Sequence, residues 1–300
     1  MPRMCSRRPH LLSRDMRQPS FAVSVLLAFC AGPFSGAGGP RAVRLPVEQA
    51  QQRAVLLVAP ELECRWRLRI PERVLADPSR LLVDHHGVPL RWRRLAGRGV
   101  QGTSSPDDKT PVLLQVRLEP MARGLALEMT IKNRSQEPLP HVVAHVCLSH
   151  DHGKNQPLQF RDPEHRRTYL VTRRGLRCLA EFGVGQRSHY RVEGEKPIGL
   201  FSNPQRGEYR FWGGGLAPAV ATEPWIASTD ATGQWTVAIF WDRAAELFHN
   251  GDRPNRCIHS DPAFGTLAPG QSVTRRGMIL LLRGTPQEAL ELFRRWKSAR

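Results

Sequence analysis

The sequence predicts a mainly-β protein: a large two-sheet antiparallel β-sandwich with one C-terminal α-helix. Three observations predict it. Apolar and polar residues alternate with period two over most of the chain, the periodicity of half-buried strands. Tight-turn signals separate these runs. A single segment, 286–298, carries helix punctuation and helical spacing. A dozen or so short strands joined by tight turns argue for two packed sheets.

The strands follow in order. Cys64–Ile70 sets apolar residues on one face and Arg65, Arg67 and Arg69 on the other. Val88–Arg93 and Val112–Leu118 come next. Leu125, Leu127, Met129 and Ile131 then alternate with Ala126, Glu128, Thr130 and Lys132, and Asn133-Arg134-Ser135 closes that strand as a turn. The same tripeptide spells a glycosylation sequon, which matters only in a eukaryotic secretory route. Val142, Ala144, Val146 and Leu148 make a further face, and Thr168–Thr172, Leu176–Glu181 and Ile198–Ser202 are shorter candidates.

Trp225–Asp242 is the clearest hairpin. Its turn, Asp230-Ala231-Thr232-Gly233, has an Asp that can bond its own backbone and a Gly for the positive φ. Trp235, Val237, Ile239 and Trp241 share one face beyond it. Leu267–Ser272 is a second turn and feeds a strand over Val273–Arg283. Thr285 caps the helix, Pro286 takes its first position and Glu288 completes a capping box. Ala289, Leu292, Phe293 and Trp296 fall on one helical face. Gly97–Asp108 and Arg206–Gly215 read as loops, and no internal repeat is present.

The first 37 residues read as a cleaved signal peptide. A basic start precedes an 11-residue apolar run, Phe21–Ala31, which is too short to span a bilayer as a helix. Ser35-Gly36-Ala37 offers a cleavage site, leaving residues 38–300 as one β-sandwich domain. Translation starts at Met1, Met4 or Met16. Ser6-Arg7-Arg8 lies too far upstream of the apolar run for a twin-arginine signal. Leu27-Ala28-Phe29-Cys30 departs from a lipoprotein box at Phe29, which speaks against lipid on Cys30. No later stretch has the apolar length of a membrane span, so a secreted or periplasmic protein is expected; the oligomeric state is left open.

The formal charge of +17 does not signal nucleic acid. Of the 44 basic residues only 5 are Lys and 39 are Arg, and they are spread along the chain, often on solvated strand faces. No nucleic-acid partner is expected; acidic polysaccharide or anionic lipid would feel the charge. Removal of the leader leaves Cys64, Cys147, Cys178 and Cys257, an even set that permits disulfides or buried thiols. There is no P-loop, no G-x-G-x-x-G after a strand, no G-x-S-x-G and no H-E-x-x-H, and no cofactor is expected.

Two constellations carry candidate chemistry. His145, Cys147, Cys257 and His259 offer the imidazole and thiolate that zinc or copper would take. Their spacing fits no established metal motif. His141 and His145 stand ~13 Å apart on one strand by strand rise, so a metal site would need several strands. The second set is Trp241 with His249, Asn250, His259 and Asp261 on loops, joined by Arg210, Trp212 and Glu223. A sugar ring stacks on Trp while short polar side chains bond its hydroxyls. The competing reading of both sets is core residues and turn formers.

Trp235–Asp242, Cys257–Gly265, the Pro269-Gly270 turn, Gly277 and the Arg-rich terminal helix resemble an uncharacterised family of exported bacterial β-rich proteins. Leu125–Asn133 and Pro163–Thr172 fit the same family. That family is similar in architecture to the large β-sandwich of galactose-mutarotase-like and polysaccharide-associated proteins. The resemblance implies a carbohydrate-binding protein or an accessory to polysaccharide metabolism. A sugar-active enzyme, metal-assisted or not, and a structural or interaction protein of the cell envelope are the alternatives. The His and Glu pattern of mutarotases is not recognisable, so epimerase activity is not carried over.

Overall fold

A computed structural model describes residues 41–42, 44–59, 62–77, 80–84, 88–96, 99–106, 109–150, 160–183, 187–198, 215–251 and 256–300. Its strands are β1 (Arg41–Ala42), β2 (Val47–Gln51), β3 (Ala54–Ala59), β4 (Cys64–Ala76), β5 (Arg80–Val83), β6 (Arg91–Arg94), β7 (Val100–Thr103), β8 (Val112–Met121), β9 (Gly124–Asn133), β10 (Leu139–His150), β11 (Thr168–Thr172), β12 (Gly175–Cys178), β13 (Arg187–Val192), β14 (Gly215–Ala221), β15 (Trp225–Thr229), β16 (Trp235–Trp241), β17 (Ala244–Asn250), β18 (Cys257–Leu267) and β19 (Ser272–Arg283). One α-helix, α1 (Pro286–Ser298), follows.

These strands form two sheets. The first runs β12-β11-β15-β16-β19-β9-β8-β7-β6, with β1 also on β19. The second runs β14-β13-β17-β18-β10-β4-β3-β2, with β5 also on β4. Every pairing is antiparallel except β13 with β14, which is parallel. The architecture is the mainly-β two-sheet sandwich that the alternation predicts. Alternate residues of each strand meet between the sheets: Val112, Leu114, Val116 and Leu118 of β8, Leu68 and Ile70 of β4, Val146 and Leu148 of β10, and Ile239 and Trp241 of β16.

Around β15, β16 and the end of β19 the first sheet is buried on its other face too. There Trp225, Ala227, Ala238, Phe240, Leu280 and Leu282 receive Ala289, Leu290 and Phe293 of α1. Phe240 meets Phe293 edge-on with ring centroids 4.8 Å apart. The capping box of α1 is formed as the sequence predicts: the Glu288 backbone N–H donates to Thr285 Oγ1 (3.2 Å) and the Thr285 N–H donates to Glu288 Oε2 (2.7 Å).

The turns obey their chemistry. Asp230 Oδ1 accepts from the Trp235 N–H (2.9 Å), Oδ2 accepts from Thr232, and Gly233 adopts φ +70°. At Gly277 a side chain has no room, because a Cβ there would stand 2.4 Å from the Phe240 carbonyl oxygen and 2.8 Å from the Trp241 ring. Asn133 is fully buried; its amide donates to the Glu137 and Leu267 carbonyls (2.7 and 2.9 Å) and accepts from Ser135. Its nitrogen is thus committed to the turn, and the sequon is a structural device.

Several expectations need correction. Gly97–Asp108 is not all loop, since it holds β7. Strand β4 continues six residues past Ile70. Leu176–Glu181 is a strand only to Cys178, after which Leu179–Phe182 forms a 3-10 turn. Ile198 lies in no strand, and 199–202 fall outside the described residues.

Candidate functional site

The second sheet differs from the first on its outer face. Several residues of β10, β17 and β18 that point away from the inter-sheet core are ionisable, and these are buried. Registers align them in a row across five strands. His189 of β13 lies opposite Phe248 of β17, Phe248 opposite His259 of β18, His259 opposite Cys147 of β10, and Cys147 opposite Arg69 of β4. One step along, Arg191, Glu246 and Asp261 are in register, and His145 pairs with Arg73. Adjacent strands bring side chains of neighbouring positions within ~5 Å, so the sheet itself assembles the cluster.

Glu246 and Asp261 are fully buried; His145, His189 and His259 are buried almost as deeply. Glu246 Oε1 stands 3.4 Å from His189 Nδ1 and 3.7 Å from His145 Nε2. Asp261 Oδ2 stands 3.9 Å from His145 Nδ1, and Asp261 Oδ1 stands 3.6 Å from His259 Nδ1. The Val146 backbone N–H donates to Asp261 Oδ1 (2.8 Å) and fixes that carboxylate. Both Glu246 oxygens, His145 Nε2, His259 Nδ1 and Asp261 Oδ2 make no hydrogen bond. The contacts of 3.6–3.9 Å to His145 and His259 are too long for one and short enough for attraction.

Beside them lies a sulfur–imidazole group. Cys257 Sγ is 3.3 Å from His259 Nε2, and single donor atoms of Cys147, Cys257 and His259 lie within 4.8 Å of one another. A hydrogen bond from Cys257 pulls the Cys147 thiol down to about 6, against the upward push of burial and with help from the charge on His259. Its bond to Cys147 and its burial push Cys257 well above the usual thiol range. Burial works to lower His259, but Cys147 and Asp261 together hold it well above the usual imidazole range. Phe248 packs edge-on against the His259 ring, 4.9 Å between centroids, and against the two sulfurs.

The residues singled out from the sequence are thus partly gathered. His145, Cys147, Cys257, His259 and Asp261 share this face. They do not form one four-ligand set: His145 groups with Glu246 and Asp261, the other three with each other. His145 and Cys147 sit on a strand, β10, as the sequence reading had them, whereas His259 and Asp261 sit on β18 and not on the loops it gave them. His249 points the opposite way. It lies between the sheets, with Nε2 3.3 Å from Thr168 Oγ1 and Nδ1 3.3 Å from His165 Nδ1. With Asn250 it lines a cleft of about 20 Å³, the room of a single water rather than a sugar.

Trp241 is fully buried in the core and has no face to offer a ligand. Glu223 is held by Lys297 (3.0 Å) and Arg294 (3.8 Å) of α1, on the first sheet's side. Arg210 and Trp212 lie outside the described residues. Sequence reasoning missed Glu246 and His189. Glu246 did leave a signal: it is the one acid within the otherwise apolar run Ala244–Phe248. Cys147, Cys178 and Cys257 are free thiols in the structure.

No protein-family model matches the chain, and no curated protein matches it. Solved structures do. A galactose mutarotase-related enzyme from Lactobacillus acidophilus aligns at 11% identity over 81% of this chain and 98% of its own, with a TM-score of 0.43. A galactose mutarotase-like protein from Lactobacillus casei ATCC 334 aligns at 9% identity over 79% and 99%, with a TM-score of 0.44. A protein from Synechocystis sp. PCC 6803 aligns at 10% identity over 84% and 100%, with a TM-score of 0.42. The likeness to all three is distant.

Proposed function

We propose that the chain is an exported β-sandwich protein that binds a carbohydrate at the outer face of the second sheet, where Glu246, His145, His189 and Asp261 are the polar groups it would meet once that buried face is uncovered. The observation that carries the proposal is the set of buried carboxylate and imidazole atoms on that face without hydrogen bonds. A buried polar atom left unsatisfied costs about 1–3 kcal/mol, and a ligand that satisfies it recovers that cost. Sugar hydroxyls both donate and accept, so one ligand can serve carboxylate oxygens and imidazole nitrogens together. Export rests on the leader in residues 1–37, and N-terminal sequencing of the mature protein tests it: a chain that keeps its first residues overturns export.

A second reading, a sugar-active enzyme, is favoured by one geometric fact. Glu246 lies between two imidazoles, 3.4 and 3.7 Å away. That pairing is what proton transfer to and from a hydroxyl or ring oxygen requires.

Calorimetric titration of the purified mature protein with a panel of neutral and acidic mono- and oligosaccharides tests the binding. At least one saccharide binds, and Glu246→Gln weakens it at least about tenfold, the loss of one charge-assisted hydrogen bond. Binding that Glu246→Gln leaves unchanged, or no binding by folded wild-type protein across the panel, overturns the proposal. Turnover of the bound sugar that Glu246→Gln abolishes selects the enzyme reading.

A further inference from the structure

We propose that Cys147, Cys257 and His259 form a zinc site on the outer face of the second sheet, supplying three protein ligands to the metal. The proposal concerns other side chains than the sugar face and does not rest on a sugar being bound.

The donor set is the first argument. Two sulfurs and one imidazole nitrogen are the soft and borderline ligands that zinc prefers, and two thiolates cancel the charge of a divalent ion, so the filled site would bury no net charge. Distance is the second. Zinc bonds of ~2.3 Å to sulfur and ~2.0–2.1 Å to nitrogen place tetrahedral donors ~3.5–3.8 Å apart. Here Cys257 Sγ and His259 Nε2 are 3.3 Å apart, and the three donor atoms lie within 4.8 Å of each other.

The surroundings of His259 are the third argument. Its Nε2 faces the sulfur while its Nδ1 faces Asp261 Oδ1 at 3.6 Å. Asp261 Oδ1 is itself held by the Val146 N–H. A carboxylate behind the far nitrogen of a ligating histidine is what fixes ring orientation and raises ligand basicity at zinc sites. Phe248 closes one side with an apolar ring. Arg69 Nη1, 4.0 Å from Cys147 Sγ, supports a thiolate there.

The scaffold is the fourth. Cys147 stands opposite His259 in the ladder of β10 and β18, and Cys257 is two residues before His259 on the same strand face. Both strands are central in their sheet, so the ligands are held by the fold and need no loop to order.

The rival for these atoms is a Cys147–Cys257 disulfide. The full mature protein, prepared under reducing conditions, discriminates. Zinc reconstitution followed by elemental analysis should give stoichiometric metal. Cobalt(II) in its place should give intense tetrahedral d–d bands and a thiolate-to-cobalt charge-transfer band, a readout that needs no variant to fold. Zinc should also protect Cys147 and Cys257 from alkylation, mapped by peptide mass. Cys147→Ser with Cys257→Ser should lose the bound metal. Three outcomes overturn the proposal: substoichiometric zinc with no cobalt charge-transfer band; stoichiometric metal retained by the double variant; or an as-isolated chain two hydrogen masses light, with the Cys147 and Cys257 peptides joined.

Discussion

His249 shows how a residue's chemistry is set by the side of the strand it falls on. Its neighbour Phe248 joins the polar outer face, while His249 is turned inward against Thr168 and His165. Burial drives its pKa well below the ordinary value, and charge on His165 and His259 adds to the effect. The folded state therefore holds His249 neutral where the unfolded chain would protonate it. The unfolded state binds more protons below ~6.5, so stability is lost as pH falls through that value. Replacement by Gln removes the titrating group. The expected outcome is that the fall in Tm between pH 8 and pH 5 is smaller in His249→Gln than in the wild type. An equal fall in both proteins would assign the acid sensitivity to other groups. The residue list from the sequence contained both His249 and His259, and nothing in a single segment could separate them. They belong to different strands, and their opposite fates follow from which parity of each strand meets the other sheet.

Among the elements, the half-buried strands and the helix were legible, and the doubly buried strands were not. Strand β9 was read almost to its ends because Leu125, Leu127, Met129 and Ile131 alternate with polar neighbours. Strand β17 was missed because Ala244-Ala245-Glu246-Leu247-Phe248-His249 is buried on both faces and shows no alternation. Strand β18 is buried over eight consecutive residues, and its Cys, His and Asp looked like loop chemistry for the same reason. Helix α1 was legible because capping chemistry and 3.6-residue spacing agree over thirteen residues. Its docking rests on Phe293, which is fully buried and meets both Phe240 and Trp296. Phe293→Ala should cost about 3–5 kcal/mol in denaturant unfolding, the range for emptying an aromatic core position. A cost below ~1 kcal/mol would mean that α1 contributes little to the fold, since that is the range of surface substitutions.

At the scale of the whole molecule the two sheets are asymmetric in what their outer faces carry. Both sheets contribute an apolar inner face to one core. The first covers part of its outer face with α1, using Trp225, Ala227, Phe240 and Leu280. The corresponding surface of the second sheet carries Glu246, His145, His189, His259 and Asp261, all buried, where an apolar set would pack at less cost. A fold that leaves the Glu246 carboxylate at zero exposure without a hydrogen bond gives up stability for something other than packing. The consequence is a trade between stability and ligand binding at one residue. Glu246→Gln keeps the volume of the side chain and removes a buried charge that has no hydrogen bond. Its stability in denaturant unfolding at pH 7 should equal that of the wild type or exceed it by about 1–2 kcal/mol, while saccharide binding falls. If the variant instead loses about 3 kcal/mol or more, Glu246 is a partner in a structural ion pair with His145 and His189, since breaking a buried pair costs that much. The polar face would then hold the sheet together rather than await a ligand, and the sugar proposal would lose the observation that carries it.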